Sequence, residues 1–219
     1  MTQSFSEKAY KKLRDRIIRG ELRASAPLDI HRIATELEMS VSPVRSALKS
    51  LEADGLVEVI PRSGTYVRDF TIQDLIYGYE LVEALDGMAG YLLAERVGTN
   101  NIDGDEIEAK LMPLVDEMEQ NLDREQVRKW AELDARFHQI IFDMADNALI
   151  ASSYHSVRSR MTLVLSFISP IHVDRENSVR EHRLIIAAIA SGNCGEARRL
   201  CQNHRNLVRQ ILKSLLAQI

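Results

Sequence analysis

The stretch SVSPVRSALKSLEADGLVEVIPRSGTYV, residues 40–67, decides the fold of the N-terminal third of the chain. Its first half repeats apolar residues at helical spacing and predicts a helix that ends at Gly55. Ser40 or Ser42 is the expected N-cap, and Pro43 suits the first turn. The second half changes to the alternation of apolar and polar residues that is typical of strands.

The strand-like segments LVEVIP and TYVRDF are joined by RSG, a tight turn in which Gly64 is available for a positive φ. Upstream, LDIHRIATEL predicts a short helix that Asp29 caps. Farther upstream, SFSEKAYKKLRDRIIRGEL predicts a helix that stops at Gly20 and whose inward residues are Ala9, Leu13 and Ile17. Two helices joined by a short turn and followed by a two-stranded wing form a winged helix-turn-helix, which lays its second helix in the DNA major groove.

The second helix of this motif has one apolar and one polar face. The predicted buried stripe is Val44, Ala47, Leu48 and Leu51, and the predicted exposed stripe is Ser42, Arg45, Ser46 and Lys49. A solvated helix face has the same appearance, so the exposed cations alone do not identify a DNA reader. The ordered pattern of helix, turn, helix and hairpin favours DNA binding, with contacts to base edges and phosphates.

Charge is unevenly distributed along the chain, whose formal net charge is −4. Residues 1–70 hold 12 Lys and Arg against 10 Asp and Glu, whereas the remainder holds 16 against 22. A mildly basic module on an acidic body hints at a surface that faces nucleic acid.

The rest of the chain shows no clear strand pattern. From about Thr71 it predicts helices over 72–97, 104–123, 125–146, 148–168, 174–191 and 193–217. Pro113 falls inside the second of these, so that helix is expected to kink or to begin there. The fold class is therefore mainly α, with a winged helix-turn-helix domain at 1–70 and an all-α helical-bundle domain at 71–219.

Four potential metal ligands face inward from three of these helices. In DARFHQIIF, residues 134–142, Asp134 and His138 stack one helical turn apart at the edge of the apolar face. His182 and His204 each lie within a later apolar stripe. A lone histidine on an apolar face is more often a core residue with one hydrogen bond. Three histidines and a costly buried carboxylate together favour a divalent cation that satisfies all four groups.

Three imidazoles and one carboxylate form a donor set of borderline softness. Zn²⁺ is the expected ion, Ni²⁺, Mn²⁺ and Fe²⁺ are alternatives, and Ca²⁺ fits poorly. Cys194 and Cys201 are too far apart on one helix for a good disulfide and are expected to be free thiols. The apolar runs are shorter than the ~20 residues of a membrane span and the N-terminus has no apolar signal core, so a cytoplasmic protein is expected.

Residues 10–69 resemble the GntR-type winged helix-turn-helix in IIRGEL, SPVRSALKSLEADGLV and RSGTYV. Residues 72–217 resemble the FadR-type (FCD) effector domain of the same regulators. The matching motifs are LDGMAGYLLAER, DARFHQIIFDMADNALI and EHRLIIAAIASGNCGEARRLCQNH. The resemblance implies a homodimer that binds operator DNA and senses a small organic acid at or beside a metal. The family's pattern of D-x-x-x-H and two later histidines falls on Asp134, His138, His182 and His204.

The same resemblance assigns roles in DNA and ligand binding. Arg45 matches the recognition-helix arginine, Gly64 matches the wing-tip glycine, and Arg32 is retained before the first helix of the motif. The chain departs from the family at Ile30 and His31, and in the turn Ser40-Val41-Ser42-Pro43, which lacks an arginine. The family's carboxylate-clamping arginine is replaced by Val82, so Arg158 and Arg160 are the candidate cations for the effector, with surface positions as their alternative.

These observations predict a ligand-responsive transcriptional regulator that is not an enzyme. Ser42, Arg45 and Lys49 are the expected DNA contacts, with Arg32 and Gly64 added by the resemblance. Two alternatives remain at this level: a metal-dependent enzyme acting on small carboxylic acids, and a non-switching DNA-binding protein with a structural metal. The sequence offers no separate general base for the first.

Overall fold

The structure, a computed structural model, describes residues 4–69, 71–167 and 174–217. Within these ranges the packing forms two compact units, one over Met1–Gly78 and Ser156–Pro170, the other over Tyr79–His155 and Ile171–Ile219. The helices are α1 Phe5–Ile18, α2 Ile30–Glu36, α3 Val41–Ala53, α4 Ile72–Gly98, α5 Gly104–Gln120, α6 Val127–Met144, α7 Ala148–Phe167, α8 Arg175–Ala190 and α9 Cys194–Leu216. The strands are β1 Val57–Ile60 and β2 Gly64–Val67, and a 3₁₀ turn spans Arg124–Gln126.

In the first unit, α1 to β2 form a winged helix-turn-helix, as the sequence predicted. Gly20 and Gly55, each at a φ of 70°, follow α1 and α3 and end them. Asp29 caps α2 by accepting from the backbone N–H groups of His31 and Arg32. The core of this unit is apolar and consists mainly of Ala9, Leu13, Ile17, Leu28, Ile33, Val44, Ala47, Leu48, Leu51, Leu56, Val57 and Val67.

The N-cap of α3 falls on one of the two predicted serines but lacks the expected side-chain hydrogen bond. Ser40 occupies the N-cap position, but its side chain makes no capping hydrogen bond, and Ser42 lies inside the helix. Pro43, also in the first turn, removes one of the backbone donors that a cap would otherwise satisfy. The start of α3 therefore depends on packing of Val44 and Leu48 more than on a serine cap.

The wing is a two-stranded antiparallel hairpin in which Val57 lies opposite Val67. Its strands are shorter than the predicted LVEVIP and TYVRDF, and the second one begins at the turn glycine, Gly64, whose φ is 135°. The segment before α2 adds to the hairpin, because Leu28 N–H donates to the Thr65 carbonyl at 2.8 Å. This third partner ties the wing to the helical core.

The second unit is entirely helical in the residues described, and its helices match the predicted ranges closely. The predicted helices 104–123 and 125–146 are shorter in the structure, because the 3₁₀ turn Arg124–Gln126 separates them. Pro113 lies inside a continuous α5, so the helix does not begin there. In this unit α5 packs against α6 and α8, and α8 packs against α9. Cys194 and Cys201 are free thiols, and no described helix is long and apolar enough to span a membrane.

Glycines allow helix backbones of the second unit to approach closely. A Cβ at Gly90 of α4 would lie 2.6 Å from Sγ of Cys201 and 3.2 Å from the Ala197 carbonyl oxygen of α9. A Cβ at Gly104 would collide with the backbone carbonyl of Ala190, at the end of α8. These contacts bring α9 against α4 and the start of α5 against α8.

We expect Gly104→Ala to lower the free energy of unfolding by about 1–3 kcal/mol, because a rigid backbone carbonyl must move to admit the methyl group. Gly195→Ala is the matched control, since a Cβ at Gly195 meets no atom within 4 Å. Urea unfolding should leave the control unchanged or slightly more stable. Equal losses in the two variants would contradict the close approach of α5 and α8.

Candidate functional site

The four donors predicted from the sequence converge in the second unit. α6 supplies Asp134 and His138, α8 supplies His182, and α9 supplies His204. One ligand atom from each residue lies within 4.8 Å of the other three. The three histidines are buried, and the side chain of Asp134 is 16% exposed. Three separate helices therefore form one polar cluster inside an apolar bundle.

The distances suit a single ion. Oδ1 of Asp134 lies 3.7 Å from Nε2 of His138, 3.4 Å from Nε2 of His182 and 4.0 Å from Nε2 of His204. Ligands bound ~2.1 Å from one ion lie roughly 3.4 Å apart in a tetrahedron. The Nε2 atoms of His138 and His182 are also buried without a hydrogen-bond partner among the described residues. These unpartnered nitrogens and the donor types fit a divalent transition metal.

Carboxylates hold the outer nitrogens of two of these histidines. Nδ1 of His138 lies 3.1 Å from Oδ1 of Asp86, and Nδ1 of His204 lies 2.6 Å from Oε2 of Glu181. An ionised carboxylate only accepts hydrogen bonds, so both imidazoles carry a proton on Nδ1 and direct Nε2 inward. This arrangement is typical of metal-binding histidines.

His182 is held differently. Its Nδ1 is buried without a hydrogen-bond partner in the part of the chain that the structure describes, and so is Oγ of Ser178, one helical turn earlier. Its ring packs against Phe137, with ring centroids 4.2 Å apart. Apolar packing therefore orients this imidazole.

Burial and neighbouring charges shift the pKa values of the cluster. Burial, reinforced by the charge of Arg205, lowers the pKa of His138 to about 3, and burial likewise lowers the pKa of His182 to about 4. Burial alone would raise the pKa of Asp134, but attraction to His182, His138 and Arg205 outweighs it and lowers that pKa well below its usual range. His138 and His182 are thus neutral and Asp134 is ionised, the states in which these groups bind metals.

A buried ion pair adjoins the cluster. Nε of Arg205 donates to Oδ2 of Asp86 at 2.6 Å, while the other oxygen of Asp86 accepts from His138. Burial would raise the pKa of Asp86, but Arg205 and His138 outweigh it and lower that pKa to about 2. The sequence reasoning missed Asp86, Arg205 and Glu181 as site residues. The sequence did contain a signal for two of them: Asp86 and Arg205 are charged residues in the middle of the apolar stripes of α4 and α9, where an unpaired charge would be costly.

The structure says less about Arg158 and Arg160, the cations predicted to bind an effector, than about the four metal donors. Val82, at the position where the family has its arginine, is buried on α4. Arg158 is half-buried on α7 in the first packing unit and has an interaction partner. The side chain of Arg160 lies outside the described residues. A surface hollow of about 810 Å³ beside Asn101, Asp103 and Ser191 contains none of the four donors.

The predicted DNA-binding residues lie on the surface of the first unit. Ser42, Arg45 and Lys49 are exposed on α3, and Gly64 is exposed at the wing turn. Arg32 is exposed on α2, where its Nε donates to Oε1 of Glu36 at 2.9 Å. Arg62, which the sequence reasoning did not select, is exposed in the wing turn at a φ of 64°.

A winged helix-turn-helix with an exposed basic recognition helix, in one chain with a helical unit that encloses polar donors, defines a transcriptional regulator. The model for bacterial regulatory proteins of the gntR family matches residues 5–67, and the model for the FCD domain matches residues 78–207. The chain belongs to the GntR family of bacterial regulatory proteins and carries an FCD domain.

Curated relatives support this assignment. The "Probable D-xylose utilization operon transcriptional repressor" of Paenarthrobacter nicotinovorans is 28% identical over 177 residues, which cover 81% of this chain and 75% of that protein. The transcriptional repressor RspR of Escherichia coli K12 is 22% identical over 218 residues, which cover 98% of this chain and 91% of RspR. These families and relatives are transcriptional regulators, which contradicts the enzyme alternative.

Solved structures agree on the fold. The structure of E. coli McbR/YncC superposes with a TM-score of 0.71 at 21% identity and covers 98% of this chain and 100% of its own. A GntR regulator from Rhodococcus sp. RHA1 superposes with a TM-score of 0.70 at 24% identity, over 96% of this chain and 99% of its own.

The metal-free protein should lose stability as the pH falls from about 6.5 toward 5, because the unfolded chain binds protons at His138 and His182 that the folded chain excludes. The loss between pH 7.5 and 5 is about 2 kcal/mol for each histidine. Asp86 and Asp134 contribute stability that is lost only at lower pH, since their folded pKa values are lowered. Urea unfolding in EDTA measures the difference.

Two variants assign the pH dependence to the cluster. His182→Gln should show a smaller loss on acidification, whereas His155→Gln, which replaces a histidine whose side chain is 45% exposed, should behave as the wild type does. An identical loss in all three proteins would show that His182 does not contribute to it.

Proposed function

We propose that this protein is a ligand-responsive repressor that binds operator DNA as a homodimer and senses a small organic acid at a divalent metal in its helical domain. The proposed domains are 1–70 for DNA binding and 71–219 for metal and ligand binding. The observation that carries the proposal is the convergence of Asp134 with three Nε2 atoms, two of them unpartnered among the described residues.

DNA binding is supported by the family and by the exposed polar face of α3. Arg45 extends from the middle of that face and is the proposed base reader, while Lys49 and Ser42 are proposed phosphate and base-edge contacts. Arg32 and Gly64 complete the proposed surface at α2 and the wing. Because a two-fold dimer presents two such helices, the expected operator is a pseudo-palindrome with half-sites about one helical turn apart. A regulator of this kind acts where the chromosome is, in the cytoplasm.

The proposed metal is Zn²⁺, with Ni²⁺, Mn²⁺ and Fe²⁺ as alternatives for the same borderline donors. Asp134, His138, His182 and His204 would hold it, and Asp86 and Glu181 would orient two of the imidazoles. The bound ion would supply a Lewis-acidic centre for the carboxylate of the effector.

The proposed response is a shift in population between conformations with different operator affinity. An effector changes operator affinity only by as much as its affinity differs between those conformations. Repression is the proposed sign of regulation because the two curated relatives described above carry the name repressor.

His182→Gln should lower the zinc content of the purified protein and abolish the rise in melting temperature that added zinc produces, since a carboxamide cannot replace an imidazole ligand. Elemental analysis and thermal unfolding after dialysis against zinc measure both effects. His155→Gln should retain wild-type zinc content. A wild-type zinc content in the His182 variant would exclude this residue from the site.

Arg45→Ala should weaken binding to a duplex that the wild type has selected from a random pool by about 1–3 kcal/mol, and weaken binding to unselected duplexes much less. Arg128→Ala removes the same charge from α6, where the side chain is 92% exposed, and serves as the control. Gel-shift titrations at one salt concentration compare the variants. Equal losses on selected and unselected DNA would contradict base reading by Arg45.

A further inference from the structure

We propose that Arg205 is the anion anchor of the effector site and that Asp86 holds its guanidinium in place to bind a small organic monoanion beside the four metal donors. The inference rests on the proposed function, because it identifies the residue that selects the charge of the ligand there. Val82 and the candidates Arg158 and Arg160 have no part in it.

The guanidinium of Arg205 is buried, and its hydrogen-bonding capacity is only partly satisfied. The residue is only 6% exposed, and its Nε donates to Oδ2 of Asp86 at 2.6 Å. Its Nη2 is buried and has no hydrogen-bond partner among the described residues. Leaving a buried charged donor unsatisfied is unfavourable, so such groups in native proteins generally have a partner. An anionic oxygen is the partner that forms the strongest hydrogen bond with this group.

The guanidinium that carries this donor is joined to the metal donors through Asp86. Arg205 follows His204 directly on α9, and the Asp86 carboxylate links its guanidinium to the His138 ring. Its positive charge is near enough to lower the pKa values of His138, His182 and Asp134. The anchor and the four donors thus belong to one electrostatic environment.

The buried charges also favour a monoanion once a divalent ion is present. Asp86 and Arg205 neutralise each other, and Asp134 offsets one of the two positive charges of the ion. Histidines bind metals as neutral imidazoles, so one net positive charge remains among the buried groups. Glu181, whose side chain is 29% exposed, is not one of these buried groups. A bound monoanion would remove the cost of burying that net charge.

The geometry of α4 and α9 explains how a charged side chain reaches this position. Cβ atoms at Gly87 and Gly90 would press against Gln202 and Cys201, so the two helix backbones are close together. That approach brings Asp86 within direct contact of Arg205. Arginine suits the role because its planar fork binds Asp86 through one edge and leaves other N–H groups for a second anion. Lysine has a single ammonium and cannot form both contacts with the same geometry.

The test uses calorimetric titration of acetate into the zinc-loaded full chain, with acetamide as the uncharged isostere. We expect acetate and not acetamide to bind to the wild type. Arg205→Lys, which keeps a cation beside Asp86, should bind acetate about tenfold more weakly or worse, the effect of losing one charge-assisted hydrogen bond. Arg183→Met removes a half-exposed arginine that pairs with Asp116 and Glu119, and should bind acetate as the wild type does.

The zinc content of every protein separates the two proposals. Equal acetate affinity in wild type and Arg205→Lys at equal zinc content overturns the role of Arg205 and leaves the metal site standing. Absence of zinc from the wild type overturns the metal site. In that case, weaker acetate binding by metal-free Arg205→Lys than by the metal-free wild type would still support the anchor. No acetate binding by the wild type, or a crystal structure with acetate present and only water on Nη2, overturns the anchor.

Discussion

The carboxylate of Asp134 is the point on which the second unit depends. Nε2 atoms from three helices approach its Oδ1 within 4.0 Å. Such a cluster is unfavourable in an apolar interior unless its nitrogens have a partner, because buried polar groups lose their hydration. One divalent cation would satisfy all of them and would link α6, α8 and α9. Occupancy of the proposed site would then be coupled to the packing of these helices.

Contacts on the outer side of the imidazole rings determine which ring nitrogens face the centre of the cluster. Asp86 and Glu181 fix the tautomers of His138 and His204, whereas His182 is oriented by Phe137 and has no partner at Nδ1 among the described residues. Asp86 also binds Arg205, so one carboxylate orients a proposed metal ligand and the proposed anion anchor. Shared partners of this kind make the effects of single substitutions non-additive.

The two units differ in the kinds of side chain that they bury. The first unit buries an apolar cluster and exposes Arg45 and Lys49 on α3, as neutralisation of DNA phosphates would require. The second unit buries Asp86, His138, His182, His204 and Arg205. Ligands that bind the folded state add to its stability in proportion to the logarithm of their concentration over Kd. The proposed sensing role would place this dependence in the second unit.

The sequence by itself determined the elements and the four donors. Helical and strand-like periodicity, glycine stops and the Asp29 cap are local properties, so they can be recognised within a few residues. Asp134 and His138 lie one turn apart, and His182 and His204 lie in apolar stripes. Each can therefore be recognised from the sequence as a polar residue that faces inward. Only the tertiary structure decided that these groups meet and that Asp86, Glu181 and Arg205 surround them. Those contacts join residues as many as 119 positions apart. They depend on the close approach of α4 and α9, which no local pattern encodes.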